Sequence, residues 1–200
     1  MKKYQFLLVA PAPAGLLSGC NNTHKTDSKA TADTLNNMKD SVADPSKSIT
    51  KDLVMKVSHD DARFAVAAAD GGMAEVQLGQ LASEKGTDAG VKDFGAMMVK
   101  DHSAANSKLI ALAKKKGISL ADSLSEFEQK TKVKLAAKSG KDFDKAYVDD
   151  MIGDHQKDIQ EFSNACKSLK DPELKEFANE TLPVLKMHLA AIQKVKAGLK

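Results

Sequence analysis

The chain has 200 residues, room for one domain of ordinary size, and its 30 lysines and arginines nearly balance 27 aspartates and glutamates, for a net charge of +3. A single arginine (Arg63), two tyrosines and no tryptophan provide neither guanidinium forks nor stacking platforms, which argues against a nucleic-acid partner. Two cysteines, Cys20 and Cys166, are too few for a disulfide framework.

The chain opens with Lys2 and Lys3, an apolar stretch from Phe6 to Leu17, and small residues leading to a cysteine. That stretch is too short to span a membrane. Leu17-Ser18-Gly19-Cys20 resembles the bacterial lipobox, so residues 1–19 are expected to be a signal peptide and Cys20 a lipidated first residue of the mature chain. Several acyl chains on Cys20 would attach the protein stably to a membrane without crossing it. By resemblance to known lipoprotein sorting, Asn21 after the cysteine favours the outer membrane in a cell envelope that has one. The competing reading is an ordinary cleaved signal, since Pro11 and Pro13 interrupt the apolar stretch. Loss of Lys2 and Lys3 lowers the net charge to +1, and acylation of Cys20 leaves Cys166 without an intramolecular partner.

Residues 20–57 are rich in Asn, Thr, Lys, Asp and Ser without sustained periodicity and read as a flexible tether. Residues 58–200 read as one all-α domain. Ser58 and Asp61 predict a capping box for a first helix that ends near Lys85. A second starts near Asp88 and ends at Gly117 after three lysines, which suit a helix C-terminus. Ser123 and Glu126 open a shorter helix that stops at Gly140; a third long helix spans about Asp142 to Lys170. Asp171-Pro172, an N-cap followed by proline at the first helical position, begins the fourth. Four long helices, with a short one between the second and third, predict a four-helix bundle.

Alternating three- and four-residue apolar steps mark the core face of each helix. The third long helix gives Val148, Ile152, His155, Ile159, Phe162, Cys166 and Leu169; the fourth gives Leu174, Ala178, Thr181, Leu185, His188, Ile192, Val195 and Leu199. The second carries Phe94, Met98, His102, Ala105 and Leu109, and the first carries Phe64, Ala68, Gly71, Glu75 and Leu78. At 1.5 Å per residue, Glu75 lies about 18 Å before the Thr87 turn and His102 about 22 Å after it. His155 and His188 lie about 24 and 26 Å on either side of the Asp171 turn. Four polar side chains therefore meet at one level of an apolar core, where burial without partners is costly.

Neutral imidazoles with a carboxylate suit one ion of zinc, iron or copper. The competing reading is a metal-free hydrogen-bonded network that fixes helix register in a structural or interaction module. A third is a redox or peroxide-handling enzyme, although no nucleophile-base pair, phosphate loop or cysteine-zinc spacing accompanies the histidines. Asp101 and Asp154 stand beside seam histidines and either orient an imidazole or face solvent. Met98 and Met151 lie one turn before His102 and His155; methionine beside histidine suits Cu(I) and is also ordinary core filler. Pro183 is expected to bend the fourth helix before His188, Cys166 to be an inert buried thiol, and His24 and His59 to be solvated. The sequence leaves room for a homo-oligomer and identifies no protein partner.

Residues 60–198 resemble ferritin-like four-helix domains, and more closely a bacterial envelope family described as domain of unknown function 4142. The resemblance is carried by Ala69-Asp70-Gly71-Gly72 with Glu75 and Leu78, by Val91-Lys92 and Met98 through His102, by Gly140 with Phe143-Asp144 and Tyr147, by Asp154-His155-Gln156, and by Thr181-Leu182-Pro183 with His188-Leu189. It implies a ferritin-like bundle with a crossover after the second helix, an envelope location and no established activity. A ferritin di-iron centre needs Glu-x-x-His on two helices. Val99 and Leu185 occupy those glutamate positions here, which argues against an iron oxidase.

Overall fold

The computed structural model describes residues 27–41 and 55–199. Among them are six helices and no strand: α1 (Ser28–Ser41), α2 (His59–Lys85), α3 (Ala89–Lys116), α4 (Glu126–Ala136), α5 (Gly140–Ser168) and α6 (Pro172–Gly198). The expected signal peptide, the lipidation expected at Cys20 and the expected solvated His24 lie outside the described residues.

Most helix ends follow their local chemistry. The Asp88 carboxylate accepts from the amides of Gly90 and Val91, and Asp171 from those of Glu173 and Leu174. Gly117 takes the left-handed conformation (φ 74°) that closes α3. Ser58 caps α2, but Asp61 does not complete a capping box; its buried carboxylate accepts from the amides of Lys170 and Asp171 instead. The short helix is capped by Ser125 rather than Ser123, because Asp70 of α2 holds the Ser125 amide at 2.8 Å and fixes where the chain turns. Helix α6 continues through Pro183. His59, expected in solvent, is half-buried against the Asn37 side chain.

The described part of the expected tether is also helical. Helix α1 packs with Ala32 and Asn36 buried. The Asn36 amide donates to the Ser119 carbonyl and accepts from the Ser119 amide, while Lys39 donates to the carbonyl of Gly117. Two small buried positions give too little apolar periodicity to register in the sequence; side-chain capping of the α3–α4 loop supplies the attachment.

Two helical hairpins, α2–α3 and α5–α6, form the bundle. The α2–α3 turn lies beside the start of α5, where Asp144 accepts from the amides of Thr87 and Asp88 at 3.0 and 2.9 Å. The α5–α6 turn lies beside the start of α2 through Asp61, and beside the end of α3, where Lys116 pairs with Asp171 at 2.6 Å. The chain therefore leaves α3 at one end of the bundle and enters α5 at the other, with α4 lying along the crossover. Helices α2 and α5 run antiparallel, as do α3 and α6. This is the ferritin-like arrangement. No described helix is long and apolar enough to cross a membrane.

The hairpin α2–α3 is held close by small residues. A Cβ on Gly79 would lie 2.6 Å from the Gly95 carbonyl oxygen, and one on Gly95 equally close to that of Gly79. Two apolar clusters fill the interior. One gathers Val66, Leu109, Phe162, Leu174 and Leu185, the other Leu78, Phe94, Met98, Tyr147 and Ile192. Glu75, His102, His155 and His188 form a buried polar layer at mid-height between them.

Candidate metal centre

Each long helix contributes one residue of the polar layer: α2 Glu75, α3 His102, α5 His155 and α6 His188. His155 and His188 are fully buried, and His102 is 5 % exposed. One ring nitrogen from each histidine lies within 4.8 Å of the other two. The ring centroids are 5.2 Å apart for His102–His188, 5.5 Å for His155–His188 and 6.0 Å for His102–His155.

Every imidazole is tethered through one nitrogen and has no hydrogen-bond partner at the other. His155 Nδ1 donates to the Met151 carbonyl at 2.9 Å, and His188 Nε2 to the Asp101 carboxylate at 3.0 Å. His102 Nδ1 meets Glu75 Oε2 at 2.6 Å. The opposite atoms, His155 Nε2, His188 Nδ1 and His102 Nε2, are buried without a hydrogen-bond partner, as is Glu75 Oε1. Carbonyl and carboxylate oxygens only accept, so His155 and His188 are protonated on the tethered side and their lone pairs are on the orphaned nitrogens.

Burial also sets the charge state. It pushes His102 down to about 4 and, with the neighbouring histidines, His155 down to about 3; it lowers His188 as well. All three rings are neutral at pH 7, the form that binds metal. Burial, followed by the charge of Asp154, raises the Glu75 carboxyl well above its usual range. The His102–Glu75 contact is a short hydrogen bond between two groups whose charged forms burial disfavours.

Glu75, expected as a fourth member of one cluster, bridges two. It touches His102 and lies 3.4 Å from His155 Nε2, but it does not join the compact triplet of imidazole nitrogens. Its oxygens group instead with Asp154 and Asp158. Asp101 does orient an imidazole, that of α6 rather than its sequence neighbour His102. Asp154 orients none; it is half-buried, and burial raises its carboxyl to about 6. Met98 and Met151 are buried in the apolar cluster beside the histidines. Met151 reaches the site through its carbonyl, while Met187 is 51 % exposed. Cys166 is a half-buried free thiol away from the layer.

Two residues escaped the sequence reading as members of this region. Asp158 stands three residues after His155, among charged neighbours. Tyr147, one turn before Met151, is buried with an unpartnered hydroxyl; burial and then the charge of Glu75 push its phenol above the ordinary range. The available signal was its helical spacing, four and eight residues before Met151 and His155.

Known structures share this architecture. A DUF305 fragment from Deinococcus radiodurans superposes with a TM-score of 0.64 at 11% identity, covering 72% of this chain and 99% of that one. CopM in its Cu(I)-bound form gives 0.58 at 14% identity, covering 69% and 96%. No curated protein matches the chain. The family model described as "Domain of unknown function (DUF4142)" matches residues 48–195, and the chain belongs to that family.

Proposed function

We propose that the protein is a cell-envelope lipoprotein, anchored to the outer membrane through Cys20, whose bundle binds one transition-metal ion through His102, His155 and His188. The observation that carries the metal reading is the set of three neutral, buried imidazoles, each with one unpartnered nitrogen, that bring one ring nitrogen apiece within 4.8 Å of the other two. An orphaned buried polar group costs about 1–3 kcal/mol, and a hydrogen-bonded core network that served only structure would use these atoms rather than strand them. Ring spacing supports the fit. With metal–nitrogen bonds of about 2.0–2.1 Å, three imidazoles around one ion would have centroids roughly 5.2–5.6 Å apart. Two of the three separations fall in that range, and the third, 6.0 Å, lies within a small ring rotation of it.

Three neutral nitrogen donors without thiolate suit Cu(I) in three-coordination, or Zn(II) with one further position open. The fold is shared with CopM, solved with Cu(I), which makes Cu(I) the first ion to offer. Glu75, Asp101 and the Met151 carbonyl act by fixing the rings, each holding a nitrogen that points away from the ion.

Elemental analysis of the full chain, purified without an affinity histidine tag and offered Cu(I), Zn(II) and Fe(II) separately, tests the reading. Retention of one ion per chain, lost in both His155→Ala and His188→Ala, is expected. Equal metal content in wild type and variants would overturn it in favour of a structural network. Lipidation is tested by fatty-acid labelling in cells, which Cys20→Ala should abolish.

A further inference from the structure

Beside the imidazoles stands a second donor group of different chemistry. Asp154 and Asp158 are one turn apart on α5, Glu75 faces them from α2, and one oxygen from each lies within 4.8 Å of the other two. Acidic residues often gather at a surface with no ligand, so the surroundings decide. Glu75 is 1 % exposed, and its Oε1 has no hydrogen-bond partner. Neither aspartate carboxylate forms a hydrogen bond or close ion pair with another described residue. The bare backbone of Gly71 and Gly72 borders a cavity of about 20 Å³ that Glu75, Asp158, His102 and Asn106 also line. That is room for about one water-sized occupant. A Cβ on Gly72 would fall 2.1 Å from Asn106 Oδ1, so glycine is what lets the amide sit at this wall.

We infer that the bundle core holds a second cation site, formed by Glu75, Asp154 and Asp158, which takes an oxygen-preferring divalent cation of the Mn2+ or Mg2+ class. It goes beyond the imidazole site and does not need that site filled. Three carboxylates select hard cations, as three imidazoles select softer ones. Bonds of about 2.0–2.6 Å put oxygens on opposite sides of such an ion roughly 4–5 Å apart, which the observed spacing accommodates. A divalent charge also offsets the mutual repulsion of these acidic groups, which Lys157 offsets only in part. Glu75 belongs to both neighbourhoods: Oε2 holds His102, and one of its oxygens groups with the aspartates, so one side chain stands between a soft site and a hard one.

Mn2+ titration of the chelator-treated full chain in detergent, followed by the electron paramagnetic resonance signal of free aquo Mn2+, tests the site. One Mn2+ per chain is expected in wild type and in His188→Ala. Asp158→Asn and Asp154→Asn, both near-isosteric, should each weaken binding about tenfold or more while leaving retention of metal by the imidazoles in place. Excess Mg2+ should displace the Mn2+ and Cu(I) should not, a readout that needs no variant. Wild type that leaves all Mn2+ free up to about 1 mM, beyond the range of dedicated oxygen sites, would overturn the inference. So would Mn2+ lost in His188→Ala as fully as in Asp158→Asn, which would put the ion on the imidazoles. Loss of Cu(I) binding in His188→Ala with Mn2+ retained separates the two sites, and failure at either one leaves the other standing.

Discussion

Asp101 of α3 accepts a hydrogen bond from His188 of α6 at 3.0 Å, so the carboxylate that fixes the α6 imidazole comes from the helix opposite. The bond sets the tautomer: with the proton on Nε2, the lone pair sits on Nδ1, the atom left without a partner in the core. Asp101→Asn presents an amide that can donate as well as accept, and a donor there would move the ring proton to Nδ1. Competition titration should show metal affinity lower by about 10–100-fold, with an unchanged circular dichroism spectrum. Undiminished affinity would mean that Asp101 does not set the ring.

Asp144 and Asp61 have matching roles at opposite ends of the bundle, each at the start of one hairpin and gripping the turn of the other. Asp144 also accepts from the Thr87 hydroxyl. Asp144→Ala removes one buried acceptor from several donors and should cost about 2–4 kcal/mol, with stranded donors at about 1–3 kcal/mol each. Urea unfolding of the metal-free chain measures it. Asp142→Ala, an exposed position two residues away, is the control expected to stay within about 0.5 kcal/mol of wild type.

Helix ends and the histidine register were legible because both are local. Asp88, Gly117 and Asp171-Pro172 act on their own backbone, and a seam of three- and four-residue steps needs only one helix. The convergence of His102, His155 and His188 followed from rise per residue, since all lie near mid-helix. What one chain segment could not disclose is pairing across helices. Asp61 looked like its own helix's cap and instead holds the α5–α6 turn; Asp101 looked like a neighbour of His102 and serves His188. Asp158 went unnoticed because charge along a helix does not tell which face a neighbouring helix will cover. Helix α1 was missed for a related reason, its attachment resting on Asn36 and Lys39 rather than on apolar spacing.

Stability should fall on the alkaline side. Above about pH 6.5 histidines are neutral in the folded and unfolded chain alike, so the change belongs to carboxyls. Burial, then the charges of Glu75 and Asp154, push Asp158 up to about 9, and burial pushes Glu128 up to about 7. Their folded values lie above the unfolded ones, so the folded protein keeps protons that the unfolded chain has released. Each such group contributes stability below its unfolded value and loses it as pH rises through the folded one, at no more than about 1.4 kcal/mol per pH unit. Urea midpoints of the chelator-treated chain should therefore drop from pH 7 to pH 9, and Asp158→Asn should flatten the drop. A constant wild-type midpoint would show that Asp158 is ionised at little cost.

The imidazole site has a visible way in. Between α3 and α6 a groove of about 270 Å³ has His102 and His188 among its lining, with Ala104, Lys108, Glu180 and the exposed Met187 nearer its rim. A further opening toward the polar layer, a cleft of about 370 Å³ against α4, is lined by Glu128, Asp150, Gly153 and Asp154 and reaches none of the three imidazoles. Loading through the α3–α6 groove should be slowed by bulk at an exposed wall position and indifferent to bulk at the cleft. Ala104→Trp narrows the groove without entering the core, and Gly153→Trp, where an added Cβ meets nothing within 4 Å, fills the cleft mouth. Stopped-flow mixing with buffered Cu(I) should give several-fold slower uptake in Ala104→Trp, wild-type uptake in Gly153→Trp, and equal equilibrium affinity in both, because neither change touches a ligand. Slowing in Gly153→Trp alone would mean that the ion enters past the acidic residues under α4, and would give Asp154 and Glu128 a role in delivery to the histidines.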